Sequence, residues 1–515
     1  MSLFSPLGAP FTRSKTPWLV GVSVGLALVL LGGLWPRPQP NLVLIVVDTL
    51  RADAVSFVPG NDKTPHLAAL AAEGQRFSRA FSHAPMTLPA HTALFTGRHP
   101  SQTGVLNNGM RVPDSLPLLA GRLAEEGYAT GAVLSLATLW PEVSDGDLER
   151  GFEHYDRGRL DVSPASSTTP RLLAALDGLG TERPFFLFAH LADPHEPYNA
   201  DSGPERKARV SVDGRVLCTL STSPMSYWEF DLELPPGEHE VSFESDDAFV
   251  LRRLTATCGG EPFALQWIEG APLQAGRRAT ARLGNRSDGG KIVRLRAWIN
   301  DHPSLQEIRR RYRAEVSRAD RAIGLLLEEL KHRGLYENTL IVVTSDHGEA
   351  LGEHDTVGHV VSLFDELLQV PLVMRLPQSR RDSRLSAMSE SVVRHVDLVP
   401  TILDELNLAG LPNPAGRTLF EAAPRLLFAE THPPEAPRAL FCVRDESYKL
   451  IFTPLTESFE LYALGPDPLE LDNVFAHQGH LRKDWQKILR RLAQDSTGPG
   501  ERAAATQAKL SALGY

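Results

Sequence analysis

Five short, largely apolar runs punctuate the chain: Asn41–Val47 (NLVLIVV), Ala129–Leu134, Phe185–Ala189, Leu340–Thr344 and Pro371–Met374. Strands that are apolar on both faces belong to parallel sheets covered by helices on each side. Helical spacing fills several of the intervals, notably Leu116–Glu126 and Ser304–Arg333. In the second, Ile308, Tyr312, Val316, Ala319, Ile323, Leu327 and Leu330 recur at three and four residues and form one apolar stripe. Strand alternating with helix predicts an α/β, doubly wound architecture. Glu315, Arg318 and Asp320 on the long helix read as a solvated face or as local ion pairs.

Between about residues 203 and 300 the period changes to two. Arg209–Leu217 reads as a hairpin turning at Asp213-Gly214, and Trp228–Leu234 alternates apolar with acidic. This predicts an all-β insert, a small sandwich looped out of the α/β core. Cys218 and Cys258 fall inside it, with a disulfide and two separate thiols as the two readings. Beyond about 425, short strands at Leu426–Ala429, Ala439–Arg444 and Lys449–Phe452 and a helix near Leu481–Gln494 predict a small antiparallel α+β subdomain.

At the other end, Trp18–Trp35 runs eighteen residues without a charge, which at about 1.5 Å per residue nearly spans a bilayer core of about 30 Å. Arg13 and Lys15 precede it and only Arg37 follows closely, a bias that predicts one membrane helix, a cytoplasmic N-terminus and an exported (periplasmic or extracellular) body. A cleaved signal peptide is the other reading. Pro36–Pro40 then acts as a stiff spacer. The expected organisation is an anchor and linker over 1–40, a core in two parts, 41–202 and 301–424, around the insert 203–300, and a C-terminal subdomain over 425–515.

Composition narrows the partners. Hydrophobic residues are 42% and charged residues 23% of the 515, ordinary for a water-soluble fold, so membrane contact is confined to the one N-terminal segment. Lys+Arg is 53 against Asp+Glu 63, a net charge of −10, and no nucleic-acid partner is expected. Three cysteines exclude a disulfide scaffold and a four-cysteine zinc ribbon.

Candidate chemistry gathers after the apolar runs, where open parallel sheets hold their ligands. Asp48 directly follows the first run, and Asp346-His347 follows the fourth, within a stretch dense in ligand types: Asp346-His347-Gly348-Glu349, Gly352-Glu353-His354 and Gly358-His359. Carboxylates with imidazole suit Zn²⁺ or Mn²⁺, and carboxylate shells suit Ca²⁺ or Mg²⁺. In His83–Pro100, Pro89 can sit in a first helical turn, placing Thr87 at the start of a helix that runs to Thr96 and ends at Gly97. Unpaired N–H groups there favour an anion, and a hydroxyl held on a metal at that point becomes a nucleophile. The competing reading of Thr87 is a plain N-cap.

Asn41–Asp53, Thr64-Pro65-His66-Leu67, Thr87–Pro100, Phe188–Tyr198 (FAHLADPHEPY), Tyr312–Gly324, Leu340–His359, Leu363–Pro371, Val396–Leu403 and the tail motif Glu460-Leu-Tyr462 with Asp467-Pro468 resemble, in order, the sulfatase family of the alkaline phosphatase superfamily. The resemblance covers roughly 41–200 and 300–480. It implies an alkaline-phosphatase-like α/β sheet flanked by helices, with a smaller C-terminal sheet. It further implies one divalent metal, Zn or Mn favoured and Ca allowed, with a second ion left open. Asp48, Thr87, Asp346 and His347 then look like the metal shell, with Thr87 in the nucleophile slot and His91 among the catalytic candidates. His195 resembles a substrate-facing histidine, and His359 lies near where sulfatases carry a lysine. These two are the candidates for protonating the leaving group.

Two departures bear on the substrate. Sulfatases of the usual kind carry Cys or Ser, oxidised to formylglycine, where this chain has Thr87-Leu-Pro-Ala-His91, and threonine cannot become that aldehyde. The usual aspartate after Asp48 is Thr49. A metal-held threonine resembles instead the phosphodiesterase and phosphoethanolamine-transferase branches, which pass through a phosphothreonine. The resemblance so adjusted implies an exported hydrolase or transferase of phosphate or phosphonate esters. Its substrate would be a small molecule or a glycan or lipid-headgroup ester. A literal sulfatase and a catalytically silent glycan- or headgroup-binding protein are the alternatives.

Overall fold

The computed structural model describes residues 39–495, apart from 59, 142–147, 159–162, 197, 199–206, 222–225, 259–260, 263–264, 270–274, 286–288, 302–304, 381–390, 422–424 and 434–438. The predicted membrane segment Trp18–Trp35 lies outside the described residues. Among those described, no helix is long and apolar enough to cross a membrane.

The first apolar run forms strand β1 (Asn41–Val47), every residue of it buried. Its alternate side chains divide between two cores: Leu42, Leu44 and Val46 join one, Val43, Ile45 and Val47 the other. A strand apolar on both faces therefore sits inside a sheet covered on both sides, as its composition demands. The sheet comprises β1, β2 (Gln75–Phe81), β3 (Ala129–Val133), β4 (His154–Asp156), β5 (Phe185–Leu191), β6 (Thr339–Thr344), β7 (Gln369–Arg375) and β8 (Val393–Arg394), in the order β8-β2-β7-β6-β1-β5-β3-β4. β1 pairs in parallel with both β5 and β6.

The sheet is mixed, because β7 runs antiparallel to both β6 and β2. The run Pro371–Met374 was expected among parallel strands; its apolar text reports burial and is silent on direction. β2 escapes the pattern altogether. Its sequence QRFSRAF is only partly buried, since it lies toward the end of the sheet and exposes Arg76, Ser78 and Arg79 in part.

Helices α1 (Pro65–Glu73), α2 (Thr87–Thr96), α3 (Ala165–Leu179) and α4 (Leu305–His332) cover the sheet. The apolar stripe of α4 joins the second core, as its spacing predicts. Of the two readings of Glu315, Arg318 and Asp320, the solvated face is overturned for Glu315 and Asp320, each 2% exposed, and the local ion pair is made between Glu315 and Arg318 at 3.8 Å. Asp320 accepts from the backbone N–H groups of His66 and Leu67 at 3.0 and 2.8 Å, capping the first turn of α1, so its carboxylate is buried with donors supplied.

Residues Lys207–Asp301 form the β-rich insert with its own core around Val210, Val241, Phe243, Leu283 and Leu295. The predicted hairpin turns at Asp213 and Gly214, both in the left-handed region (φ 49° and 76°), as a tight two-residue turn requires. The strands of the insert join in one eight-stranded hydrogen-bonded network. The 22-residue strand Gly237–Cys258 pairs with Lys207–Val212 and Ala275–Asn285 along its first part and with Lys291–Asp301 along its second, which carries the hydrogen bonding through. Cys258 carries a free thiol, so of the two cysteine readings the disulfide is not made. The C-terminal strands Leu427–Thr431, Leu440–Arg444, Tyr448–Thr453 and Ser458–Ala463 pair in sequence order. Helix Lys483–Asp495 closes one face of that sheet through Trp485 and Leu489.

Candidate metal and catalytic site

The carboxyl ends of β1, β5 and β6 meet at one point, and the turns that follow are tied to one another. Asp48 N–H donates to Leu191 O at 2.8 Å. Thr49 takes φ 56°, a strained conformation for a β-branched residue, and four bonds hold it there or just beyond. Its N–H donates to Asp346 Oδ1 at 3.2 Å, its hydroxyl to Asp48 O at 2.7 Å, Tyr312 OH to its carbonyl at 2.8 Å, and Leu50 N–H to Ser345 Oγ at 2.9 Å. Where the resembling family has a second aspartate, Thr49 thus spends its hydroxyl on the backbone. On the other strand, His347 N–H donates to Asp346 Oδ1 at 2.8 Å. Oδ1 of Asp346 is consumed by backbone donors, and Oδ2 is left.

Asp48, Asp346 and His347 bring one ligand atom each to within 4.8 Å of one another, and all three are fully buried. His347 Nε2 lies 3.4 Å from Asp346 Oδ2 and 4.0 Å from Asp48 Oδ1. Both oxygens of Asp48, Oδ2 of Asp346 and Nε2 of His347 have no hydrogen-bond partner. Buried acceptors left unpaired are costly, and two carboxylates turned toward each other are costlier still. A divalent cation resolves both problems, so the residues fit a metal. Burial and the charge of Asp48 push Asp346 well above the usual carboxylate range. Burial also opposes ionisation of Asp48, but His190, His195 and His347 outweigh it and hold its carboxyl far below that range. Burial and the neighbouring His359 push His347 down to about 4, which leaves a neutral imidazole of the kind metals bind.

The other predicted residues surround this group. Thr87 is buried as the first residue of α2, and Gly97 ends the helix in the left-handed region at φ 66°. His91, one turn on, places its Nδ1 2.8 Å from Thr87 O and 3.6 Å from Asp346 Oδ2, linking the start of the helix to the carboxylates. Burial, then His190, pushes His91 down to about 3. His359 lies with its ring 4.6 Å from that of His347, and the ring of His195 is 5.1 Å farther along. These three imidazoles step from full burial to partial exposure, marking the open side of the site. His359 Nδ1 meets Glu349 Oε1 at 2.9 Å; burial works against its charged form, and Glu349 raises its pKa above the ordinary imidazole value nonetheless.

Other residues in these motifs serve elsewhere. Glu353 takes Leu351 N–H at 2.6 Å and pairs with Arg51 at 3.1 Å. His354 binds Glu366. Two residues without an assigned role belong to the site. Glu349 is fully buried under His359. His190 sits at the end of β5, paired in register with Val46, and brings Nε2 to 3.3 Å from Asp48 Oδ2. Its signal is a lone imidazole at the carboxyl end of an apolar strand.

A divalent cation held by Asp48, Asp346 and His347 would supply positive charge for an oxyanion, with His359 and His195 at the open side as the groups placed to transfer protons. A family model described as Sulfatase matches residues 40–408. The N-acetylglucosamine-6-O-sulfatase of Bacteroides thetaiotaomicron is 24% identical, covering 89% of this chain and 86% of that protein. The choline-sulfatase of Rhizobium meliloti is 26% identical, covering 85% and 82%. The crystal structure of the phosphonate monoester hydrolase of Agrobacterium radiobacter superposes with a TM-score of 0.60 at 20% identity, covering 89% of this chain and 96% of that one. The architecture is accordingly the alkaline-phosphatase-like one, a mixed sheet between helices.

Proposed function

This chain belongs to the sulfatase family and is a hydrolase of sulfuric or phosphoric esters, and from that premise we propose that it prefers phosphate or phosphonate esters and cleaves them through Thr87. The observation that carries the reading is a buried threonine at the first residue of α2, one turn before His91 and its contact with Asp346. The divalent cation that Asp48, Asp346 and His347 would hold supplies positive charge for the reacting hydroxyl and for the nonbridging oxygens. Zn²⁺ or Mn²⁺ suits this donor set, and Ca²⁺ is the alternative.

The chain's own residues do the rest. Backbone N–H groups in the first turn of α2 favour the anionic ester. The Thr87 hydroxyl first gives up its proton to water; Thr87 Oγ then forms a bond to phosphorus as the ester P–O bond breaks, and a proton from His359 or His195 goes to the leaving oxygen. His359 has Nδ1 committed to Glu349, and His195 has Nδ1 2.6 Å from its neighbour's carbonyl at Glu196, so Nε2 is the transferring atom in each. Water then attacks phosphorus and gives one proton to the histidine, and the Oγ–P bond breaks to return the Thr87 oxyanion. A sulfated threonine offers no route equivalent to the collapse of an aldehyde hydrate, which is why phosphorus is preferred over sulfur.

A panel of aryl phosphate, phosphodiester, phosphonate and sulfate esters tests this. Thr87→Ala should lower kcat/KM for the preferred ester at least about a thousandfold while Thr87→Ser retains measurable turnover. Undiminished activity in Thr87→Ala would discard the nucleophile. The second reading, sulfate-ester hydrolysis of a glycan or small molecule, is favoured by the sulfatase names of the relatives; a preference for the sulfate in the same panel would install it.

A further inference from the structure

Helix α4 turns its apolar stripe to the core and a second, basic stripe outward, which the catalytic chemistry does not use. All of its arginines stand between Arg309 and Arg321. Arg309, Arg310, Arg313, Arg318 and Arg321 line a groove of about 860 Å³, and Lys63 joins them from the segment before α1. Glu307 is the one carboxylate among the described lining residues. In a chain of net charge −10 such a surface is an exception, and it ends before the helix does: the later outward positions carry Leu325 and Glu328.

Like charges at i and i+4, as in Arg309 and Arg313, and at i and i+3, as in Arg318 and Arg321, oppose helix formation, and arginines in the N-terminal half of a helix are not helped by its dipole. Local pairing relieves only part of this. Glu307 accepts from Arg310 and Arg311 at 2.9 and 2.8 Å, Arg318 reaches Glu315 at 3.8 Å, and Arg309 Nε donates to Leu351 O at 2.9 Å. The exposed guanidinium groups of Arg313 and Arg321 have no hydrogen bond or ion pair among the described residues. The stripe also stands at the catalytic end of the sheet. Tyr312, on the inner face of the same turns, donates to Thr49 O just beyond β1, and Leu351 lies in the chain between His347 and His359.

From Arg309 to Arg321 the helix advances about 18 Å, at about 1.5 Å per residue, with an arginine in each turn. That is longer than the headgroup of a single ester, and the repeated cation matches an anion repeated along a chain. A groove takes in such a chain, whereas a bilayer presents a plane. We propose that this groove binds an acidic polysaccharide carrying several sulfate or phosphate groups, held by Arg313 and Arg321 while one of its esters enters the site at Asp48, Asp346 and His347. Delivery of the ester rests on the hydrolase activity proposed above; capture of the polymer does not.

Binding of the full chain to fluorescein-labelled dextran sulfate is followed by anisotropy, with unsulfated dextran and vesicles of phosphatidylglycerol and phosphatidylcholine as comparison probes. The parent should bind dextran sulfate and not dextran, with an affinity that falls as salt is raised. Arg313→Gln combined with Arg321→Gln should lose at least about tenfold in that affinity. Arg313→Lys combined with Arg321→Lys keeps the charge and should lose less than about threefold. The exposed pair Arg278→Gln and Arg282→Gln on the insert should stay within about twofold of the parent. Turnover of a small aryl ester should be unchanged within about twofold in every variant, and turnover of an ester carried on the polymer should fall in the Arg313 and Arg321 glutamine pair. A parent that does not bind dextran sulfate overturns the proposal, as does a glutamine pair that keeps its affinity, an equal loss in the insert pair, or binding to the vesicles alone, which would assign the stripe to a lipid surface. A parent that captures dextran sulfate through Arg313 and Arg321 but hydrolyses no ester keeps the groove and removes the hydrolase activity.

Discussion

Replacing Tyr312 by Phe removes one oxygen from a ring that is 1% exposed. That oxygen donates to Thr49 O at 2.8 Å and accepts from Arg51 N–H at 2.9 Å. Both are buried backbone groups of the turn that follows Asp48, and phenylalanine offers neither of them a replacement. Each satisfied bond is worth about 1 kcal/mol net, and a buried group left without a partner costs about 1–3 kcal/mol. The ring itself stays, so packing is retained, and the expected loss is about 2–4 kcal/mol in urea unfolding of the metal-free protein. A second consequence follows from the strain at Thr49. Its φ of 56° costs of order 1–3 kcal/mol and survives only where neighbours enforce it. Tyr312 is one of those neighbours, and Asp48 is the adjoining residue. Zn²⁺ affinity should therefore weaken about tenfold, in line with losses seen when groups that orient a ligand are removed. A stability change below about 0.5 kcal/mol together with unchanged Zn²⁺ affinity would refute the argument and leave Tyr312 a filler of the core.

Gly348 is required by close approach: a Cβ there would lie 2.0 Å from Glu366 O, so Gly348→Ala should displace the turn next to His347, costing both Zn²⁺ affinity and, by about 2–4 kcal/mol, stability in urea. Normal metal binding by that variant would contradict it. His354 gives a pH test. Its Nδ1 is 2.8 Å from Glu366 Oε1 and its Nε2 3.1 Å from Glu470 O, and neither the carboxylate nor the carbonyl can donate, so both ring nitrogens carry protons. Burial opposes that charge, Glu366 outweighs it, and the pKa is raised. The contribution is full below the unfolded value of about 6.5 and is lost as pH rises through the raised folded value. His354→Gln should cost about 1 kcal/mol near pH 6 and almost nothing near pH 9; an equal cost at both would reject it. Lys449 is fully buried, with Nζ 2.8 Å from Asp365 Oδ1 and 2.9 Å from Glu470 Oε1. Lys449→Met should destabilise the chain by about 3–5 kcal/mol, because Glu470 and Asp365 stay buried and Arg444 is left to meet Asp365 alone. A loss under about 1 kcal/mol would show that Glu470 takes up a proton at little cost.

What the sequence made legible was whatever burial writes directly. β1, β5 and β6 are apolar on both faces and read as interior strands; β2, exposed at alternate points, carries no such signature and was invisible. Asp48 and Asp346-His347 were legible because polar residues that end an apolar strand stand out. Counting ligand types did not tell the direction of a side chain. Glu353 and His354 were included on that basis, although His354 takes φ 50° and binds Glu366 instead. Tyr312 was read correctly as a member of the apolar stripe, yet periodicity registers the ring and is blind to the hydroxyl that holds Thr49. His190 shows what was missing. Its place beside Asp48 depends on the parallel register that sets it next to Val46, two residues before Asp48, and its ring meets Ser135, 55 residues earlier. Neither relation is local. Once β1 and β5 are taken as parallel neighbours in that register, however, the end of one strand lies against the end of the other, and a histidine there has to lie against the aspartate. Strand pairing was therefore the one piece of information that separated the motif residues from the whole cluster, and any reading that recovers the pairing recovers His190 with it.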